Sequence, residues 1–229
     1  MKTKIGVLLL LLFFLPAQTT VHALKAGSGI SADIALKKLL DGNRSFVQNK
    51  LKIKEKSTSG VRRRLASGQH PYAVILSCSD SRVPPEVIFD KGLGELFVVR
   101  DAGNVVNPVV LGSIEYGVEH LGATLIMVLG HSKCGAVKAA LGSTGREDPN
   151  VKAIIQKISP SVALARRQIK SKDKSRLLDT AIDLNIKRSA QLLRQESPLL
   201  DELVHSGKVR IVCARYDLEE GTVRLLPCK

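Results

Sequence analysis

The chain has 229 residues, 44% of them hydrophobic and 24% charged, with no Trp and 3% aromatic content. That length and apolar fraction suit one α/β domain with an aliphatic core and exclude a disordered or repeat-built chain. The formal charge of +14 has no stacking aromatics or nucleic-acid motif beside it, so solvated helix faces explain it better than nucleic-acid binding, with a mild attraction for anions or an anionic membrane surface.

In chain order, the first stretch reads as an address and not as fold. Lys2 and Lys4 form a basic start, Ile5 to Leu15 an apolar run, and Val21-His22-Ala23 a small-x-small site. These features predict a secretory signal peptide over residues 1–23, cleaved after Ala23. An uncleaved anchor is the alternative, but the apolar run is well short of the ~20 residues of a spanning helix. The remaining 24–229 is read as a single domain, periplasmic or secreted, without a stable membrane anchor. Without Lys2 and Lys4 it keeps 33 basic and 21 acidic residues. Arg62-Arg63-Arg64 and the stretch from Arg166 to Arg176 carry much of that excess.

Ser31 is placed to cap a helix running through Ala35, Leu36, Leu39 and Leu40 toward Phe46. A short helix is expected from Val61 to Ala66. Strands are expected at 73–77, 95–100, 124–129 and 208–214. Asn107 as cap and Pro108 as first helical residue open a helix to about Leu121. Another helix starts near Cys134. A helical region occupies 151–205, with Pro160, Pro198 and Gly207 as breaks. The end reads as a hairpin turning at Glu220-Gly221. The alternation predicts a mostly parallel central sheet flanked by helices, with a C-terminal hairpin.

Two segments carry chemistry. Cys78-Ser79-Asp80-Ser81-Arg82 follows the apolar run Ala73-Val74-Ile75-Leu76, and His131-Ser132-Lys133-Cys134 follows Leu125-Ile126-Met127-Val128-Leu129. Both runs read as buried parallel strands, and open α/β sheets place their sites at the C-terminal ends of such strands. Two thiolates, an imidazole and a carboxylate form a zinc ligand set. The alternative is two ordinary buried cysteines and a loop histidine. Asp80 has two candidate roles: a fourth metal ligand, or a carboxylate paired with Arg82 beside the metal. Cys213 and Cys228 stand apart and can form a disulfide outside the cytoplasm; the alternative is one buried thiol and one tail thiol.

At these residues the chain resembles the β-class carbonic anhydrases. CSDSRVPPEVIFDKGLGELFVVRDAGN (78–104) and LGSIEYGVEHLGATLIMVLGHSKCGAVKAAL (111–141) carry the likeness. It extends from about Ile30 to Leu226 and includes Asn185 and IVCARYDLEEGTVRLL. The resemblance implies zinc on Cys78, His131 and Cys134, an Asp80–Arg82 pair beside it, and reversible hydration of CO2 to bicarbonate and a proton by hydroxide generated at the metal. It also implies substrate-binding roles for Gln69, Phe97, Tyr116 and Gly135. Gln69, Phe97 and Tyr116 come from the neighbouring subunit in that family, which implies a homodimer or larger assembly. Some bacterial members carry an inhibitory bicarbonate site built on a Trp, an Arg and a Tyr. Arg100 and Tyr216 match it, but Ile75 stands at the Trp position.

Two thiolates and a neutral imidazole cancel the charge of Zn2+, so such a site needs a more alkaline pH than a three-histidine one. Other readings remain on the sequence alone. A carbonyl sulfide or carbon disulfide hydrolase fits the same scaffold. A non-catalytic zinc protein or bicarbonate sensor would keep Asp80 as a permanent ligand. A thiol redox protein lacks a Cys-x-x-Cys and leaves His131 unexplained.

Overall fold

The structure, a computed structural model, describes residues 29–170 and 173–228. The expected signal peptide lies outside the described residues. Helix α1 (Ala32–Val47) begins where Ser31 Oγ accepts the Ile34 N–H, and it buries Ala35, Leu36 and Leu39. A 3-10 turn (Glu55–Ser57) and α2 (Ser59–Leu65) lead into β1 (Ala73–Cys78). A four-residue helix, α3 (Pro85–Ile88), precedes β2 (Leu96–Asp101). Helix α4 (Pro108–Glu119) starts at Asn107, whose side-chain oxygen accepts from the N–H groups of Val109 and Val110. Then come β3 (Leu125–His131), α5 (Gly135–Gly142), α6 (Pro149–Gln168), α7 (Lys174–Gln195), α8 (Pro198–His205), β4 (Arg210–Tyr216) and β5 (Val223–Leu226).

The five strands lie in the order β2-β1-β3-β4-β5, parallel except for the antiparallel β4–β5 hairpin. β1 and β3 are buried along their whole lengths, as continuous apolar runs in the middle of a parallel sheet must be. Alternate residues feed two cores. Val74, Leu76, Ile126 and Val128 pack with α4 through α8, while Ile75, Leu125, Met127 and Leu129 pack with α1 and the α3 segment. Each fully buried Leu, Ile or Val side chain contributes about 1.5–3 kcal/mol. Buried Asn43 ties the second layer together. It donates to the carbonyls of Ile88 and Gly221 and accepts the Val223 N–H.

One expected break is wrong. Pro160 lies inside α6, not at its end. The hydrogen bond it lacks falls on an exposed part of the helix, while Ile155, Ile158, Val162 and Ala165 hold the buried face. The interruption comes later, at Ile169, whose backbone is extended, and α7 opens at Asp173, which accepts from Ser175 and Arg176 N–H groups. The other boundaries lie within a few residues of expectation.

Candidate metal centre and active site

β1 ends at Cys78 and β3 at His131, neighbours across the sheet. Their side chains emerge at the same C-terminal edge. Cys134 returns to this edge because Lys133 adopts a left-handed backbone, with φ of 56°. The turn reverses the chain directly before α5. Among the described residues, the Cys78, His131 and Cys134 ligand atoms lie within 4.8 Å of one another, all buried. The chemistry of this set fits a metal with borderline-soft preferences.

The hydrogen bonding fits as well. His131 Nδ1 lies 2.9 Å from the Ser132 carbonyl, a contact that places the ring proton there. His131 Nε2 is left facing the cluster, buried and without a hydrogen-bond partner. The adjacent Cys134 thiol, working against burial, draws Cys78 well below the ordinary thiol range; His131 and the Gly103 N–H assist. The same contact, with burial, pushes Cys134 up. One proton shared by two sulfurs is what a bound cation would displace.

Beside the cluster, Arg82 grips Asp80 with a planar fork. Arg82 Nε donates to Asp80 Oδ1 at 2.9 Å and Nη2 to Oδ2 at 2.8 Å, while the Arg82 backbone N–H adds 3.0 Å to Oδ1. This grip, opposed by partial burial, holds the Asp80 carboxyl well below the usual carboxylate range. Asp80 Oδ2 stands 3.8 Å from His131 Nε2. The carboxylate is thus next to the cluster and committed to arginine.

A supporting frame was only partly visible in the sequence. Arg100 donates to the carbonyls of Cys78 (3.1 Å) and Asp80 (2.7 Å), pinning the loop that bears both. Gly103 donates its N–H to Cys78 Sγ at 3.3 Å. Asn185, on α7, donates to the Gly103 carbonyl at 2.8 Å. Gly103 has a φ of 84°, and a Cβ there would lie 2.7 Å from Ile158 Cδ1, so glycine is required on both counts. A glycine just past a strand end was the available signal. Asp101 was also missed. Burial, with the Cys78 charge adding to it, pushes Asp101 up to about 7 despite the bond from Val105 N–H.

Of the remaining candidates, Gly135 adjoins the cluster as the residue after Cys134, while Gln69, Phe97 and Tyr116 are not gathered there. Gln69 is exposed in the loop after α2. Phe97 and Tyr116 meet each other, ring centroids 6.1 Å apart, and Tyr116 is 48% exposed. Phe97 pairs in register with Val74, four residues before Cys78. That is about 13 Å along the strand. Gly135 opens α5, and a Cβ there would meet open space. Ile75 is fully buried in the α1-side core, and Tyr216 is 5% exposed.

The comparisons with known proteins agree with this geometry. The carbonic anhydrase family model matches residues 73–223. The chain belongs to that family, in its β class. "Carbonic anhydrase 2" of Mycobacterium tuberculosis is 40% identical over 190 residues, covering 82% of this chain and 89% of the relative. The solved β-carbonic anhydrase CcaA is similar with a TM-score of 0.70 at 28% identity, covering 84% of this chain and 95% of that one. A solved β-carbonic anhydrase of Sordaria macrospora, described as tetrameric, shares the fold with a TM-score of 0.69 at 24% identity, covering 85% and 98%. The protein is therefore a carbonic anhydrase, a lyase that interconverts CO2 and bicarbonate. The hydrolase, sensor and redox readings are not favoured.

Proposed function

We propose that zinc is the metal, held by Cys78, His131 and Cys134, and that the site works in an open state with Asp80 kept off the ion. Zinc there would supply hydroxide near or above neutral pH by acidifying water. Asp80, ionised and gripped by Arg82, would accept a hydrogen bond from that nucleophile and so orient it toward the carbon of CO2. Arg82 occupies the fork of the carboxylate and so keeps it from taking a ligand position. Arg100 keeps the loop carrying Cys78 and Asp80 in place. The bidentate Asp80–Arg82 pair beside the Cys-His-Cys cluster carries this reading.

The substrate pocket is completed in an assembly. Gln69, Phe97 and Tyr116 stand away from their own chain's cluster, and the Phe97–Tyr116 surface is partly exposed, which supports their serving a second copy in a homodimer or larger oligomer. The charged start and apolar run of residues 1–23 support export to the periplasm or beyond, with cleavage after Ala23.

The test is metal analysis paired with stopped-flow CO2 hydration. The purified protein should carry one zinc per chain. Arg82→Ala should keep its zinc and lose about 10–100-fold in rate. An Arg82→Ala variant with full activity, or a different metal in the active wild type, overturns the reading.

A further inference from the structure

The basic run Arg62-Arg63-Arg64 has no part in the site described so far, and the structure does not leave it alone. Segment 50–64 contains seven basic residues, Lys50, Lys52, Lys54, Lys56, Arg62, Arg63 and Arg64, against one acidic residue, Glu55. Two separate anchors fix its halves to the same loop. The Lys52 N–H donates to Asp90 Oδ1 at 2.7 Å, and Lys56 Nζ donates to the Asp90 carbonyl at 2.6 Å. Lys56 packs so closely on Gly92 that a Cβ on the glycine would lie 2.2 Å from the lysine Cβ. Further along, α2 rests Leu65 on Gly94. The helix turns Val61 and Leu65 toward the body, both partly buried, and fans its three arginines into solvent.

Lys56 also pairs with Asp90 Oδ2 at 3.3 Å, and the other six cations are uncompensated. Lys50, Lys52, Lys54, Arg63 and Arg64 are exposed and form no ion pair among the described residues, and Arg62 donates only to the Ser57 carbonyl. Two apolar side chains stand among them, Leu51 at 41% exposure and Leu93 at 46%. Leu93 belongs to the same 90–94 loop that anchors both halves. No aromatic residue lies between positions 50 and 70, so the surface lacks the stacking platforms that nucleic acids use. Fixed cations interleaved with exposed leucines suit the boundary between phosphate headgroups and acyl chains.

We propose that the surface formed by segment 50–64 and Leu93 adsorbs reversibly to an anionic phospholipid bilayer. It is a peripheral contact, not an anchor. Each lysine or arginine at such a surface strengthens binding by about fivefold, and the attraction dies within the screening length.

The experiment is co-sedimentation of the purified zinc-loaded protein with vesicles. One set is an equimolar mixture of phosphatidylglycerol and phosphatidylcholine, and the other is phosphatidylcholine alone. The protein should pellet with the first set at about 0.1 M ionic strength and release at about 1 M, where screening shortens from about 10 Å to about 3 Å. The triple variant R62Q/R63Q/R64Q should lose at least about tenfold in partitioning while CO2 hydration stays at the wild-type rate. K50Q/K52Q/K54Q should do the same independently. A control removing the same charge elsewhere, R167Q/K170Q/K174Q, should bind like wild type. No pelleting with phosphatidylglycerol vesicles overturns the proposal. So does equal loss in the control, which would make the attraction one of net charge. Tighter capture by a DNA duplex than by the vesicles, abolished by the same arginine substitutions, would assign the surface to a nucleic acid and also overturn it.

Discussion

The four cysteines form two pairs that the fold treats in opposite ways. Cys78 and Cys134 are close, buried and unbonded, at the edge where the sheet meets its loops. Cys213 and Cys228 are joined, with Cα atoms 5.4 Å apart, beside the β4–β5 hairpin. What separates them is the polar environment. Cys78 receives a backbone N–H from Gly103 and sits beside His131. Cys213 lies at 0% exposure in an aliphatic core. The pairing is also a matter of register. Cys213 stands opposite Leu226 in the hairpin, and Cys228 follows two residues later on the same face. One pair is built to hold a charge, the other to hold the chain.

The strongest way to break this comparison is Cys134→Ala. It should abolish zinc binding and essentially all CO2 hydration while mass spectrometry still finds the Cys213–Cys228 bond. Full zinc occupancy in that variant would remove Cys134 from the ligand set. Next is Cys228→Ser. A bridge closing a 15-residue separation is worth about 3 kcal/mol of stability. Denaturant unfolding should show about that loss with zinc content and turnover unchanged. Zinc lost together with the bridge would show that the two pairs are one unit.

A smaller effect sharpens the contrast through pH. Burial raises Asp101 to about 7 in the folded chain, against about 4 when unfolded. Between those values the folded state holds the extra proton, so stability falls as pH rises through this window. Asp101→Asn should flatten that decline and be more stable than wild type by on the order of 1–2 kcal/mol at alkaline pH. Thermal melts across the range check it, and a parallel slope in both proteins rules Asp101 out. The smallest effect is at Lys133. Its left-handed backbone favours glycine, so Lys133→Gly should stabilise by about 0.5 kcal/mol, offset in part by the lost contact with Glu219. Destabilisation in a chemical melt would mean that the Glu219 contact outweighs the backbone strain.

The sequence was legible where a local pattern sufficed. Four- and five-residue apolar runs marked β1 and β3, and Ser31 and Asn107 marked helix starts. The three sulfur and nitrogen atoms of the cluster followed from what stood at the ends of those strands. The Asp80–Arg82 pair, two residues apart, was within reach of the same logic. Pro160 misled because a helix interior tolerates proline when burial on the other side holds it. α3 was missed because four residues carry no periodicity. The Asn185–Gly103 bond spans 82 positions, and nothing local announces it. Arg100 matched one position of a regulatory site whose Trp is replaced by Ile75, and nothing in the sequence told of its two bonds to loop carbonyls.

The route Asn185 to Gly103 to Cys78 bears on the order in which the protein matures. Ser189, one helical turn further along α7, donates to the Asn104 carbonyl at 2.8 Å and grips the same loop. The loop that presents a donor to the first sulfur is therefore braced by a helix made long after the metal-binding residues have been synthesised. A growing chain that already contains Cys78, His131 and Cys134 still lacks that brace. Tight metal uptake then belongs to the completed chain, and amide exchange in α7 should slow on loading with zinc, far from any ligand.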